Sequence, residues 1–273
     1  MAQATTKERL EKGKSPIDAK PMIILRKIAH PFLLAVAQTK ITYKLKRENK
    51  YTVDKKKPII FAVNHTNSQD IPLVCSAIKK HAYLLIGKQD LEPVDELFFN
   101  LNGAVFVDRT DKEDRAISKD AMVSYLKKDI PLIMFPEATW NLTDEKLMLP
   151  MRWGIIDIAK EADAQIVPVV LDYDKETKKC NVKFGKTIYP NSEKDKSELI
   201  RDLRDEMSSI RYEFIEKKGL HRRTTIDIEK EKKEMLKAVE EYPKLDYEYE
   251  KTTIFRPYTE QEEVFEPIKR LSK

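Results

Sequence analysis

Cysteine, glycine and histidine are all scarce in this chain of 273 residues, and each scarcity removes a class of protein. Two cysteines, Cys75 and Cys180, exclude a disulfide-stapled secreted scaffold and fit a reducing compartment. The four histidines, His30, His65, His81 and His221, never stand at the short ligand spacing of a zinc site, which argues against a metal hydrolase. With six glycines the chain contains no Gly-x-Ser-x-Gly turn, the mark of a nucleophilic serine hydrolase. Long hydrophobic runs are also missing. The longest in the N-terminal region, PFLLAVA at 31–37, falls far short of the ~20 residues that a bilayer-spanning helix takes.

What is present is 41% hydrophobic and 36% charged residues, enough apolar material for one large globular domain with a substantial core. The net charge of +5 conceals an asymmetry. Residues 1–57 carry 15 Lys and Arg against 5 Asp and Glu, a net of +10, so the remainder (36 basic, 41 acidic) has a net of −5. Within the basic segment Ile24, Leu25, Ile28, Phe32 and Val36 recur at helical spacing beside cations. That is the pattern of an amphipathic helix lying in a membrane surface, and equally of one packed on the protein's own core. Few aromatics interleave the cations, so nucleic acid is not the expected partner. A cleaved signal peptide does not fit either: the apolar part begins late, is broken by Arg26, Lys27 and His30, and leads into more basic residues. We expect peripheral attachment to an anionic membrane surface, on its cytoplasmic face.

Beyond Lys57 short apolar runs alternate with helix-like stretches. PIIFAV (58–63), AYLLI (82–86), AVFV (104–107), PLIMF (131–135) and IVPVVL (166–171) read as buried strands, with NVKF (181–184) as an outer one. Helices are predicted over 71–80, 113–129, 151–162 and 197–218. The order implies an α/β fold with a mostly parallel sheet flanked by helices. The expected organisation is a basic membrane-association segment at 1–57, a domain at 58–219, and a charged helical or irregular extension at 220–273.

The segment FAVNHTNSQDIPLV, at 61–74, places His65 and Asp70 five positions apart at a strand-to-helix turn. Loops at the carboxyl ends of such strands are where α/β proteins build sites. Either Asp70 caps the helix and His65 is a polar loop residue, or the two are paired. Later segments bear on the choice. GAVFVDR (103–109) ends a strand with a cation, FPEATWN (135–141) ends another with a carboxylate in a tight turn, and IVPV (166–169) sits in a buried strand.

In order and spacing these blocks resemble the glycerolipid acyltransferase family, which contains the 1-acylglycerol-3-phosphate acyltransferases. NHTNSQD matches its Asn-His-x4-Asp (HX4D) motif, GAVFVDR its Gly-x-x-Phe-[Ile/Val]-x-Arg block, FPEATW its Phe-Pro-Glu-Gly-Thr-Arg block, and IVPV its fourth. The resemblance covers about residues 58–173 and does not account for the C-terminal stretch. It implies a transferase that moves a fatty acyl group from acyl-coenzyme A or acyl carrier protein, without cofactor or acyl-enzyme, to a lysolipid hydroxyl. Lysophosphatidic acid going to phosphatidic acid, in phospholipid synthesis, is the leading case. His65 would be the general base and Asp70 would orient it and stabilise the imidazolium. Arg109, Glu137 and Thr139 would face the acceptor, with Arg109 able to grip a phosphate bidentately. Lys88, where the family often has a cation, would join them in binding the acceptor, and Arg152 stands where the family commonly has another. Cys75, one apolar turn into a predicted helix, is expected to pack and not to react.

Two departures lie in the third block, where Ala138 replaces glycine and Trp140 replaces arginine. A positive φ at 138 would strain alanine by about 1 kcal/mol. Trp140 removes a phosphate partner; it either offers the acceptor an aromatic face or fills space in the core. A different lysolipid or polar-lipid acceptor therefore fits too, as does a lipid-binding protein that keeps the fold without turnover.

Overall fold

The computed structural model describes residues 4–39, 41–88, 91, 93–141, 147–190 and 193–219, with 227, 229, 230 and 233 beyond them. Apart from those last positions, the extension read at 220–273 lies outside the described residues.

Seven strands form a single sheet: β1 (Lys44–Arg47), β2 (Ile59–Val63), β3 (Tyr83–Gly87), β4 (Ala104–Val107), β5 (Leu132–Met134), β6 (Gln165–Asp174) and β7 (Lys179–Phe184). Their order is β1-β7-β6-β2-β5-β3-β4, and every neighbouring pair is parallel except β6 and β7. The strand β2 is buried along its whole length, as a strand covered on both faces must be. Its side chains alternate between two cores: Ile60 and Ala62 enter one, Ile59, Phe61 and Val63 the other. Helices α5 (Lys112–Lys127), α6 (Gly154–Glu161) and α7 (Lys196–Lys218) cover the first face, and α3 (Asp70–Ile78) the second. Fold class and the predicted strands and helices match the reading from periodicity.

The sheet extends further than the apolar pattern predicts. NVKF is not an outer strand, because β1 pairs alongside β7 from Lys44↔Lys179 to Arg47↔Val182. β1 reads KLKR, with no apolar run to announce it, and its cations suit a sheet edge that must not pair with another chain. The sheet thus begins inside the basic stretch at 1–57.

That stretch is divided in its packing. Helix α1 (Thr6–Glu11) starts with a Thr5–Glu8 capping box and docks on α5, where buried Thr6 donates to Asp114 Oδ1 at 2.7 Å. Asp18 is buried beside Tyr83 and Tyr125: its Oδ2 accepts from Tyr83 Oη at 3.0 Å and pairs with Arg26 Nε at 3.1 Å. Helix α2 (Lys20–Gln38) turns the other way. Its Ile28 and Phe32 are 69% and 72% exposed, and Ile24, Leu25 and Val36 are exposed beside them. Helix α4 (Pro93–Asn102), which packs against α2, adds exposed Leu97 and Leu101. No helix among the described residues is long and apolar enough to cross a membrane.

Candidate active site

Because β2, β3, β4, β5 and β6 all run the same way, their carboxyl ends share one edge, and the quoted motifs meet there. Asn64, buried just after β2, ties that strand to β6 by donating to the Leu171 carbonyl at 3.0 Å and accepting from Leu171 N at 2.7 Å. The next residue, His65, is thereby held at the edge. Its Nδ1 lies 2.7 Å from Asp70 Oδ2. The same oxygen accepts the backbone N–H groups of Thr66 at 2.7 Å and Asn67 at 2.9 Å, while Tyr173 Oη donates to Oδ1. Asp70 is fully buried in the first turn of α3, where the helix dipole also favours negative charge. Burial, and then the Asp70 charge, raise the Tyr173 phenol well above its usual range, so it remains a donor.

The second ring nitrogen has a partner too. Trp140 Nε1–H donates to His65 Nε2 at 2.8 Å. An indole nitrogen only donates, so Nε2 carries the lone pair and Nδ1 the proton. Both hydrogen bonds therefore select one tautomer, with the proton on Nδ1 and the lone pair on Nε2. Phe135 stacks on the imidazole with ring centroids 4.2 Å apart and planes 26° from parallel.

The turn after β5 is held from several sides. Ala138 has φ 57°, in the left-handed region, so the glycine of the related block reflects a real backbone requirement that alanine meets under strain. Its carbonyl accepts Arg109 Nη1 at 2.7 Å. The Arg109 side chain crosses the backbone at Gly87, where a Cβ would come within 2.5 Å of Nε and the guanidinium would have to shift. Asn141 N donates to the His65 carbonyl at 2.6 Å, and Arg152 N to the Pro136 carbonyl at 2.8 Å.

Glu137 is buried, and both its oxygens accept backbone N–H groups, from His65 at 3.2 Å and Leu149 at 2.7 Å. Burial pushes its carboxyl up to about 7. In this state it braces the His65 loop and does not face outward. Thr139 Oγ1 and Thr66 Oγ1 are buried without a hydrogen-bond partner. Lys88 pairs with Glu8 at 2.6 Å, linking the end of β3 to α1 and not to the His65 cluster. Cys75 stands on α3 beside an apolar cleft lined by Leu34, Ile71, Pro72, Phe98 and Phe99, and desolvation pushes its thiol up to about 12. Among the described residues no group of three or more His, Cys, Asp or Glu side chains is placed to hold a metal ion.

Of the residues singled out in the sequence, His65, Asp70, Arg109, Glu137 and Ala138 join one connected network, and Lys88 stands outside it. Tyr173 and Phe135 escaped sequence reasoning as members of the site. Phe135 lay inside a quoted block, but Tyr173 sits at the end of β6 with no motif to mark it. Trp140 does not fill the core: it is half-buried, with its indole N–H on His65.

Residues 44–172 match the Acyltransferase family. An uncharacterized acyltransferase of Schizosaccharomyces pombe is 27% identical over 139 residues, half of each chain. The 1-acyl-sn-glycerol-3-phosphate acyltransferase of Saccharomyces cerevisiae is 32% identical over 119 residues, 42% of this chain and 39% of that one. The chain thus spans half or less of the length of these curated relatives. The crystal structure of the 1-acyl-sn-glycerophosphate acyltransferase PlsC from Thermotoga maritima superposes with a TM-score of 0.57 at 18% identity, covering 72% of this chain and 83% of that one, and establishes the shared fold. The stretch that matches the Acyltransferase family, residues 44–172, contains both the His65–Asp70 pair and the turn that covers it.

Proposed function

We propose that the protein transfers a fatty acyl group from a thioester, acyl-coenzyme A or acyl carrier protein, to a lysolipid hydroxyl, with lysophosphatidic acid as the first acceptor to test. One observation carries this reading: a His65 imidazole whose Nδ1–H is fixed on buried Asp70 and whose Nε2 lone pair points away from it. In the reaction the acceptor hydroxyl gives its proton to Nε2 as its oxygen forms the ester bond to the thioester carbonyl carbon. The C–S bond then breaks, and the departing thiolate takes the proton from the imidazolium. Asp70 stabilises the transient positive charge. The relatives named 1-acyl-sn-glycerol-3-phosphate acyltransferase support the acceptor class.

Arg109 supplies the cation for the acceptor's phosphate, and the apolar cleft beside α3 suits a fatty chain. The exposed apolar faces of α2 and α4, among the cations of the N-terminal segment, hold the enzyme on an anionic membrane surface where such lipids reside. A second reading, acylation of a lysolipid with another headgroup, is favoured by Trp140 standing where the Phe-Pro-Glu-Gly-Thr-Arg block that this segment resembles has arginine. The deciding experiment offers the purified protein a panel of lysolipids with each donor and weighs the lipid product by mass spectrometry. Phosphatidic acid formation supports the first reading, preference for a zwitterionic or uncharged lysolipid supports the second, and no ester product with any acceptor overturns both.

A further inference from the structure

The bond from Trp140 to His65 occupies the very lone pair that the proposed reaction needs. An acceptor hydroxyl cannot reach Nε2 while the indole N–H sits 2.8 Å away from it. Nor can water. The His65 side chain is 17% exposed, so solvent does arrive at the ring, and a bare base beside a bound thioester would activate it. Water attacking in place of a lipid would lose a proton to Nε2 and form a C–O bond to the carbonyl. It would expel the thiol, which carries the proton away, and leave a free fatty acid.

The indole is not a loose side chain that happens to touch the ring. The backbone on one side of it is held at the Ala138 carbonyl by Arg109, and on the other by Asn141 N–H bonded to the His65 carbonyl at 2.6 Å. The two rings also meet edge-on, with centroids 5.5 Å apart. A donor held this way acts at an effective concentration far above that of solvent water. A water molecule that displaced it would exchange one hydrogen bond for another, with no surplus. A lysolipid brings headgroup and chain contacts as well, and these can offset the broken N–H···N bond.

We propose that Trp140 is a positioning and specificity-determining residue, whose indole N–H covers His65 Nε2 until an acceptor lipid displaces it, so that acyl groups pass to lipid hydroxyls and not to water. The inference rests on the acyl-transfer reading for its consequence, but the covering of Nε2 is measurable without turnover.

The test uses the full chain and diethyl pyrocarbonate, which modifies neutral imidazole nitrogen, with the adduct on His65 followed by peptide mass. Two changes remove the donor: Trp140→Phe, and replacement of Trp140 by 3-benzothienylalanine, which keeps the bicyclic shape but has sulfur in place of N–H. Each should speed His65 modification about three- to tenfold, the range that loss of one hydrogen bond supports. Hydrolysis of acyl-coenzyme A without acceptor should rise by a similar factor relative to acyl transfer. The indole N–H resonance of Trp140 should move on His65→Ala. Unchanged His65 reactivity in the benzothienyl variant, with unchanged melting temperature, would overturn the covering role. Faster modification without added hydrolysis would overturn the specificity role. If the wild-type chain acylates no lipid at all, the function proposed above fails and the specificity role with it, while the modification rates still decide whether Trp140 covers Nε2.

Discussion

Asp70 receives four donors on two oxygens, so the consequences of changing it differ from those of changing a simple ion-pair partner. Asn at this position would bring an NH2 group into a buried cluster of N–H and O–H donors, leave one donor without a partner, and release the imidazole to the other tautomer. Acyl transfer by Asp70→Asn should fall about 100- to 10,000-fold, close to the loss in His65→Ala, and both should remain folded by circular dichroism. A mild loss in Asp70→Asn would reduce the carboxylate to a helix-terminal structural role. At Ala138 the φ of 57° predicts the opposite sign. Ala138→Gly relieves left-handed strain of about 1 kcal/mol, partly offset by the freer unfolded chain, and should raise the melting temperature by a few degrees or less.

Glu137 contributes a pH dependence. Burial raises its carboxyl to about 7, against roughly 4.3 in an unfolded chain, so between those values the folded chain holds a proton that the unfolded chain has released. Stability from this group is therefore fully present below that window and is lost as pH rises through it. Glutamine does not titrate, so wild type should gain stability relative to Glu137→Gln as pH falls from about 7 to 5. Urea midpoints of both proteins across that range check the sign.

At the scale of elements, α2 and α4 raise a single question: what covers their apolar faces. Ile28 and Phe32 are mostly solvent-exposed, so changing them to glutamate removes no core contact. If the face inserts into a membrane surface, each lost side chain weakens binding by up to about 1.5–3 kcal/mol. The double variant Ile28→Glu, Phe32→Glu should then fail to sediment with anionic vesicles while keeping its melting temperature. Full retention on vesicles would show that these residues serve another surface. Deleting residues 1–50 is a less clean test, because it also removes β1 and the buried Asp18 that accepts from Tyr83.

At the scale of the whole molecule, the sheet order determines which chain segments share the site. β2 lies between β6 and β5, so the loop bearing His65 has Tyr173 on one side and the turn at 135–141 on the other. Helices on both faces bury the sheet, which leaves the strand ends as the place where polar side chains from distant segments can gather. The apolar cleft opens on the α3 face, and α2 and α4 border it through Leu34, Phe98 and Phe99. The later part of α2 and helix α4 thus border the cleft on the α3 side, whereas Ile23, near the start of α2, packs on the opposite core.

Sequence alone determined the strands and helices with a strong period, because burial on two faces demands continuous apolar runs and burial on one helical face demands a 3.6-residue repeat. It also placed His65 and Asp70 within local reach at one strand-to-helix turn, while spacing alone left a helix cap and a pair both open until the structure showed the contact, and it brought the left-handed requirement at Ala138 into question through a missing glycine. Tertiary structure alone decided the rest. Tyr173 reaches Asp70 across 103 positions and Trp140 reaches His65 across 75. The strand β1 has too little apolar content to reveal that it completes the sheet. Spacing could not distinguish a helix packed on the core from one with its apolar stripe in solvent, and only the exposure of Ile28 and Phe32 did so. Nor could composition show that Glu137 faces two backbone N–H groups instead of a ligand. Periodicity reports what a residue needs from its immediate neighbours, whereas partners set by sheet order exist only once the strands have assembled.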